Sequence, residues 1–133
     1  MTMWEKFEFE KRIRKILKRT KYYQKDHHFK RPFLTAYQIA IAYANKYPED
    51  FKKINKPIGG KDVGKRNTLA QYIAGELSRR MKAGKLPDIE GGFISNDNLS
   101  EISFQKGKII SSLTCTPYDL SIFRLKEKKV VFI

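Results

Sequence analysis

The residues best suited to chemistry form a glycine- and lysine-rich run, GGKDVGKR, at positions 59–66. Its glycine spacing and Lys65 match the phosphate loop G-x-x-x-x-G-K-[ST], in which backbone N–H groups and a lysine hold nucleotide phosphates. Arg66 stands where a hydroxyl would hold magnesium, and Lys52 and Lys53 lie in what would have to be a buried strand. We therefore expect no nucleotide hydrolysis, although the same backbone donors suit a DNA phosphate.

A second grouping combines Asp119 with the triplet Glu-Lys-Lys at 127–129 and loosely matches the acidic-x-Lys arrangement of metal-dependent nucleases. In such sites two carboxylates hold magnesium and a lysine helps to orient or activate water. Such triplets arise often by chance in a chain with 32% charged residues. The position near the end of the sequence also leaves little structure to enclose a site. We expect no nuclease activity.

Histidine and cysteine give no stronger signal. The side chains of His27 and His28 diverge in most backbone conformations because the residues are adjacent, and no cluster of further ligands accompanies them. Cys115 is the single cysteine. It has no obvious base nearby, and we expect a small core residue. We therefore predict no catalytic residues, no metal and no cofactor, and we do not expect an enzyme.

The strongest signal is the charge. The chain of 133 residues has 28 lysines and arginines against 14 acidic residues, a net charge of +14. Residues 1–34 hold 11 basic and 4 acidic side chains, residues 61–86 hold 7 and 2, and residues 87–133 are balanced at 6 and 6. This asymmetry predicts one basic face built from the first two of these segments. Nucleic acid is the expected partner of such a face.

Composition narrows the class further. Apolar residues make up 41% of the chain, enough for a core, but no apolar run reaches the 18 residues that a membrane helix needs. We see no signal peptide and expect no membrane association. A single cysteine favours a reducing compartment, so we expect a cytoplasmic protein, located at the nucleoid if it binds DNA.

The first half of the chain has the periodicity of helices. An amphipathic helix is expected over residues 4–25. A connector follows it, in which Pro32 prevents the residues before it from continuing a helix. Thr35 and Gln38 form a capping box that opens a helix to about Tyr47, and a short helix follows over residues 49–54.

A third helix is expected to begin at Asn67 or Thr68, and its buried stripe is expected to consist of Leu69, Tyr72, Ile73, Leu77 and Met81. Gly75 lowers the helix propensity of this segment, so we expect another helix to approach closely there. Gly84 suits the C-terminal cap.

After Pro87 the pattern changes from helix to strand. Residues 89–95 and 99–105 are predicted to form a hairpin around the polar turn 96–98. Lys106-Gly107 is a second turn signal, and further strands are expected over 108–115, 118–125 and 129–133. The last of these is apolar and is expected to be paired or covered.

The order of these elements and the placement of charge over Thr35 to Phe104 resemble winged helix-turn-helix domains. The resemblance covers about half the chain and includes no diagnostic motif. We therefore predict an α+β fold with a winged-helix-like core at 35–105. Residues 1–34 would add a basic amphipathic helix and connector, and residues 106–133 a C-terminal β-segment that packs on the core or dimerises.

The resemblance implies that the third helix enters the major groove of DNA and that the hairpin is the wing. Exposed N–H groups at the start of this helix are expected to hold phosphate. Asp97 in the wing tip departs from the basic wings that grip DNA, so we expect a weak wing contact or none. DNA contacts are predicted for Lys61, Lys65, Arg66, Asn67, Thr68, Gln71, Ser78, Arg79, Lys82 and Lys85, and in the N-terminal segment for Arg12, Lys15, Lys18, Arg19, Lys30 and Arg31.

The sequence thus predicts a non-enzymatic protein that binds double-stranded DNA, with transcriptional regulation or service to a mobile element as its role, and with a homodimer as one option. Two alternatives stay open. The first is a protein-interaction module, such as an inhibitor or adaptor that docks on an acidic or nucleic-acid-binding partner, with Trp4, Phe7, Tyr22 and Tyr23 as its anchors. In the second, the chain binds RNA or a single strand, whose bases would stack on Tyr22, Tyr23, Phe29 and Phe33.

Overall fold

A computed structural model describes residues 1–60, 68–114 and 119–127, without the side chains of 112–114. Within these ranges the fold is mixed α+β, with five helices and five strands in two antiparallel sheets. One apolar core lies between three of the helices and the larger sheet.

None of the helices in the described ranges is both long enough and apolar enough to cross a membrane.

The N-terminal segment forms two helices, α1 (Met3–Lys6) and α2 (Phe9–Lys18), instead of one over 4–25. The chain breaks at Glu8, whose φ is 52°. In an unbroken helix Phe9 would lie about 140° around the axis from Trp4. The break turns Trp4 and Phe9 into one core, where their rings stack at 5.5 Å.

Helix α2 ends earlier than predicted because nothing beyond Leu17 continues its apolar side. Its buried residues are Phe9, Ile13, Ile16 and Leu17. These side chains belong to the same core as helices α3 and α5. Residues 19–33 then form the connector that leads to the first strand.

The capping box predicted for the next helix is confirmed. In α3 (Ala36–Lys46) the Thr35 hydroxyl accepts from the Gln38 N–H at 3.2 Å, and the Gln38 side chain accepts from the Thr35 N–H at 2.8 Å. Pro48 occupies the first turn of the short helix α4 (Pro48–Ile54). There its missing N–H costs no hydrogen bond.

The third predicted helix is α5 (Leu69–Lys82), capped by Thr68 at its start. At its end Gly84 adopts a φ of 74°, and the N–H groups of Gly84 and Lys85 bond to the carbonyls of Met81 and Arg80. This left-handed turn is the glycine C-cap that the sequence predicted.

The larger sheet has the order β1-β5-β2, formed by β1 (Leu34–Thr35), β2 (Ile89–Ile94) and β5 (Leu120–Leu125). The predicted pairing of residues 89–95 with 99–105 is therefore wrong, since β2 pairs over its whole length with β5. The turn at 96–98 does form, with Asn98 at a φ of 61°. Burial decides the pairing, because Leu120 and Phe123 of β5 and Ile89 of β2 are buried beside the helices.

The remaining strands, β3 (Glu101–Lys106) and β4 (Ile109–Thr114), pair with each other around the turn predicted at Lys106-Gly107. This hairpin rests on α3. The rings of Tyr37 and Phe104 stack at 6.1 Å, and the Asn45 side-chain amide donates to the Lys106 carbonyl at 3.4 Å. Cys115 and the strand predicted at 129–133 lie outside the described residues.

Candidate nucleic-acid interface

Helix α5 has one buried side and one open side. Leu69, Ile73 and Leu77 are buried in the core. The open side is a stripe of exposed residues spaced by four, three and four positions, which places them on one line along the helix. We call this the α5 stripe; its members are Gln71, Gly75, Ser78 and Lys82.

The α5 stripe projects little from the helix backbone at Gly75, because glycine has no side chain. Among the described residues, no atom outside the α5 backbone lies within 4 Å of a Cβ built at Gly75. The predicted approach of another helix at this point is therefore wrong. Gly75 faces open space, and a ligand could approach the helix backbone closely here.

The first three N–H groups of α5 are bonded to other groups of the protein. The N–H groups of Leu69 and Ala70 donate to the carbonyls of Pro57 and Ile58 at 2.7 and 3.0 Å. The Gln71 N–H donates to the Thr68 hydroxyl at 3.1 Å. The expectation that these N–H groups hold phosphate is wrong, since all three are used inside the protein.

Gly59, the first glycine of the phosphate-loop-like run, is held tightly against the rest of the protein. Gly59 has a φ of 122°, and a Cβ there would lie 3.2 Å from atoms of Thr68 and Tyr37. The Ser111 hydroxyl donates to its carbonyl at 2.7 Å. Only glycine fits this conformation and this space. Gly59 therefore has a structural role at the base of α5.

Arginines use most of their charge inside the fold. The Arg12 guanidinium lies 2.6 Å from an Asp50 oxygen and 3.0 Å from the Tyr43 hydroxyl, and it stacks 4.0 Å from the Tyr47 ring centre. Although burial opposes it, hydrogen bonding to Asp50 and Tyr43 raises the pKa of Arg12. Arg12 thus joins α2 to α3 and α4.

Three further arginines are paired with carboxylates. Arg14 makes two hydrogen bonds to Asp88, at 2.9 and 3.0 Å. The single carboxylate of Glu76 accepts from both Arg79, at 2.6 Å, and Arg80, at 3.1 Å. Arg79 stays 62% exposed despite its partner.

Arg124 and Arg31 hold the connector. Arg124 pairs with Glu90 across the β2–β5 ladder and donates to the carbonyls of Phe29 and Arg31 at 2.7 and 3.0 Å. Arg31 donates in turn to the Lys18 carbonyl at 2.8 Å. Of the seven arginines in the described ranges, only Arg19 has no carboxylate or carbonyl partner among those residues.

Lysines supply the free charge. All seven ion pairs between described residues are made by arginine, and these occupy six of the 13 described carboxylates. The described part of the chain has 16 lysines, of which 15 are exposed. The positive charge of the surface therefore consists mainly of lysine ammonium groups, which suit phosphates as point charges.

One group of cations is visible only in three dimensions. Desolvation lowers the pKa of Lys46, and the positive charges of Arg19 and Lys15 lower it further. Lys46 at the end of α3 thus interacts electrostatically with two cations at the end of α2. Sequence reasoning missed this residue because the approach of two distant helix ends leaves no local signal.

The structure separates the predicted DNA contacts into distinct groups. Gln71, Ser78 and Lys82 share the α5 stripe, Arg79 lies beside it, and Lys85 follows the helix. Lys15, Lys18 and Arg19 are exposed at the end of α2, and Lys30 is exposed in the connector. Thr68 is 3% exposed as a cap, and Arg12 and Arg31 are bound internally. Lys61, Lys65, Arg66 and Asn67 lie outside the described residues.

Two anchors expected for a protein partner are not available. Trp4 and Phe7 are 4% and 6% exposed and belong to the core. Arg80 covers Trp4, with its guanidinium 4.5 Å from the ring centre.

Asp119, the carboxylate of the nuclease-like grouping, accepts a hydrogen bond from the Asn96 N–H at 3.0 Å. No group of three metal-binding side chains occurs within the described ranges.

No family model, curated protein or solved structure matches the chain.

Proposed function

We propose that this protein is a non-enzymatic binder of double-stranded DNA, which places α5 in the major groove and neutralises phosphates with lysines. The observation that carries the proposal is the α5 stripe. Its small and polar side chains, with Gly75 open at the centre, allow a groove wall to approach the helix closely. Lys82 on the stripe and Lys85 just beyond the helix then lie where phosphates would flank the groove.

The topology supports a winged-helix arrangement of this binder. Helix α2, strand β1, helices α3 and α5, and strands β2 and β5 follow one another, and β1 joins β2 and β5 in one sheet. In the proposal α3 and α5 form the helix-turn-helix, with α4 inserted between them. The wing would then be the segment between β2 and β5, which contains the β3–β4 hairpin.

The division between arginine and lysine bears on specificity. Arginine is the usual partner of guanine because its guanidinium makes two parallel hydrogen bonds. Next to the α5 stripe, Arg79 and Arg80 already share Glu76. On the stripe, the Gln71 amide suits the edge of adenine, and the Ser78 hydroxyl can hydrogen-bond to more than one kind of base. We therefore propose that most of the affinity comes from contacts with the DNA backbone and that few contacts distinguish one base from another.

The proposal is tested by fluorescence anisotropy with a labelled duplex over a salt series. The variant Lys82→Gln with Lys85→Gln removes two charges at α5. Its matched control, Lys52→Gln with Lys53→Gln, removes two charges from exposed lysines of α4. We expect the α5 variant to bind more weakly and to lower the slope of log K against log [salt] by about 2.

The control is expected to keep the affinity and slope of the parent. Equal losses in both variants would show that only net charge matters and would contradict the assignment to α5. Failure of the parent to bind duplex at moderate salt would overturn the proposed function itself.

A further inference from the structure

The connector between α2 and β1 is rich in basic and aromatic residues, which have no role in the duplex binding proposed for α5. Residues 19–33 include five basic side chains and one acidic, with four aromatic rings and two histidines. In the structure ten of these residues, at positions 22–24 and 27–33, line an open cavity of about 790 Å³ together with Glu90 and Arg124. This volume lies within the range of about 300–1,000 Å³ that is typical of small-molecule sites.

The connector is held in place although it has no helix or strand. Arg124 bonds to two of its carbonyls and lies 4.1 Å from the ring centre of Phe33. Arg31 ties the same segment to the end of α2. The cavity is thus fixed on β5 from one side and on α2 from the other, so a ligand would not have to order it.

Two of the rings at the cavity are largely exposed to water. Tyr23 is 85% exposed and Phe29 is 70% exposed. The rings of His27, His28 and Phe29 form a cluster with centre distances of 4.4 to 4.6 Å. The His27 ring nitrogen Nδ1 accepts from the Phe29 N–H at 3.0 Å, which fixes the turn on which the cluster stands.

We propose that the connector cavity binds an unpaired nucleobase of a single-stranded nucleic acid, which stacks on Tyr23 and Phe29. The adjoining phosphates would contact Lys30, which is exposed and lines the cavity, and Lys25, which is exposed in the same connector. Every base has an aromatic face, and every strand has the negative charge that complements this segment. This site is separate from the α5 stripe and does not depend on duplex binding there.

The chain offers a matched control for the aromatic contact. Phe93 on β2 is 71% exposed, as open as Phe29, but lies outside the cavity. We compare Tyr23→Ala with Phe29→Ala, as one double variant, against Phe93→Ala. Thermal unfolding of each variant shows whether the fold is kept.

Three labelled strands of equal length serve as probes in anisotropy measurements: oligo-dT, oligo-rU, and an abasic strand with the same phosphates. We expect the double variant to bind oligo-dT or oligo-rU about 5- to 100-fold more weakly than the parent, the range typical of losing base stacking. Phe93→Ala should bind as the parent does. The abasic strand should bind weakly to the parent and be insensitive to the double variant.

Each arm of the experiment is decisive. A preference for oligo-dT or oligo-rU identifies DNA or RNA as the source of the base. Equal binding of the abasic strand, an unchanged double variant, or an equal loss in Phe93→Ala would overturn the stacking site. Labelled duplex is measured in parallel: loss of duplex binding with retained strand binding contradicts only the α5 proposal.

Discussion

At the scale of single residues, Asp88 shows how charge is used inside this protein. It lies just before β2 and accepts two hydrogen bonds from Arg14 of α2. These hydrogen bonds lower the pKa of Asp88, although partial burial opposes them. A carboxyl with a lowered pKa stabilises the fold above its unfolded pKa of 3.8, and this stabilisation is lost as the pH falls through the folded pKa.

Asp88→Asn should therefore lower the free energy of unfolding at pH 7 by about 0.5–1 kcal/mol, as expected for a partly exposed ion pair. The difference from the parent should shrink as the pH falls below 3.8 through the lowered pKa of the Asp88 carboxyl. Urea unfolding at a series of pH values measures both. A difference that stays constant from pH 7 to pH 2 would show that the ion pair is not the cause.

At the scale of elements, α5 combines a well-capped start with a weak centre. Gly75 is exposed, and a Cβ built there meets no side chain in the described part of the chain, so alanine fits without strain. Gly75→Ala should raise the free energy of unfolding by about 0.5–1 kcal/mol, because alanine is the better helix former. If DNA approaches the α5 stripe, the added methyl group should nevertheless weaken duplex binding.

Urea unfolding and duplex anisotropy on the same preparation check the two effects together. A variant that is more stable and binds duplex as tightly as the parent would show that no ligand approaches the helix at this point. Alanine at Gly84 is no substitute control, since its φ of 74° would strain any other residue.

The elements also show what the sequence could and could not predict. Periodicity and caps are local, and they correctly predicted α3, α5, the Gly84 cap and the turn of the β3–β4 hairpin. The partner of β2 is not local. The turn at 96–98 exists, but β5 wins the pairing because its apolar residues complete the core.

In the candidate site, too, local features could be predicted from the sequence and non-local ones could not. The open side of α5 could be predicted from its helical period. The use of the first α5 N–H groups by the loop at 57–58 could not, because it depends on how the loop packs. Nor could composition tell which cations are free: Arg12 and Lys15 look alike in sequence, and only the fold pairs the first with Asp50.

At the scale of the whole molecule, the arginines hold elements together and the lysines charge the surface. This division predicts different results for two neighbouring cations, Arg124 of β5 and Lys126 just after the strand. Arg124→Ala removes an ion pair and two hydrogen bonds to the connector, and should lower the free energy of unfolding by about 2–4 kcal/mol. Lys126→Ala removes the same charge from an exposed position and should change it by less than about 0.5 kcal/mol.

Chemical denaturation of the two variants, side by side, measures this contrast. Similar losses in both would contradict the division. Because Arg124 also fixes the connector cavity, Arg124→Ala should weaken binding of single strands more than Lys126→Ala does.

The strand order of the larger sheet has a consequence for how the protein is made. Its central strand, β5, begins only at Leu120, while the strands on either side of it are complete by Thr35 and Ile94. As the chain leaves the ribosome, β1 and β2 must wait for a partner that is synthesised after both. Helices, whose contacts are local, can form during this time, but the sheet can close only after release of β5. Until then the apolar sides of α2, α3 and α5 lack their cover, and a chaperone that binds exposed apolar surface has its longest opportunity in this interval.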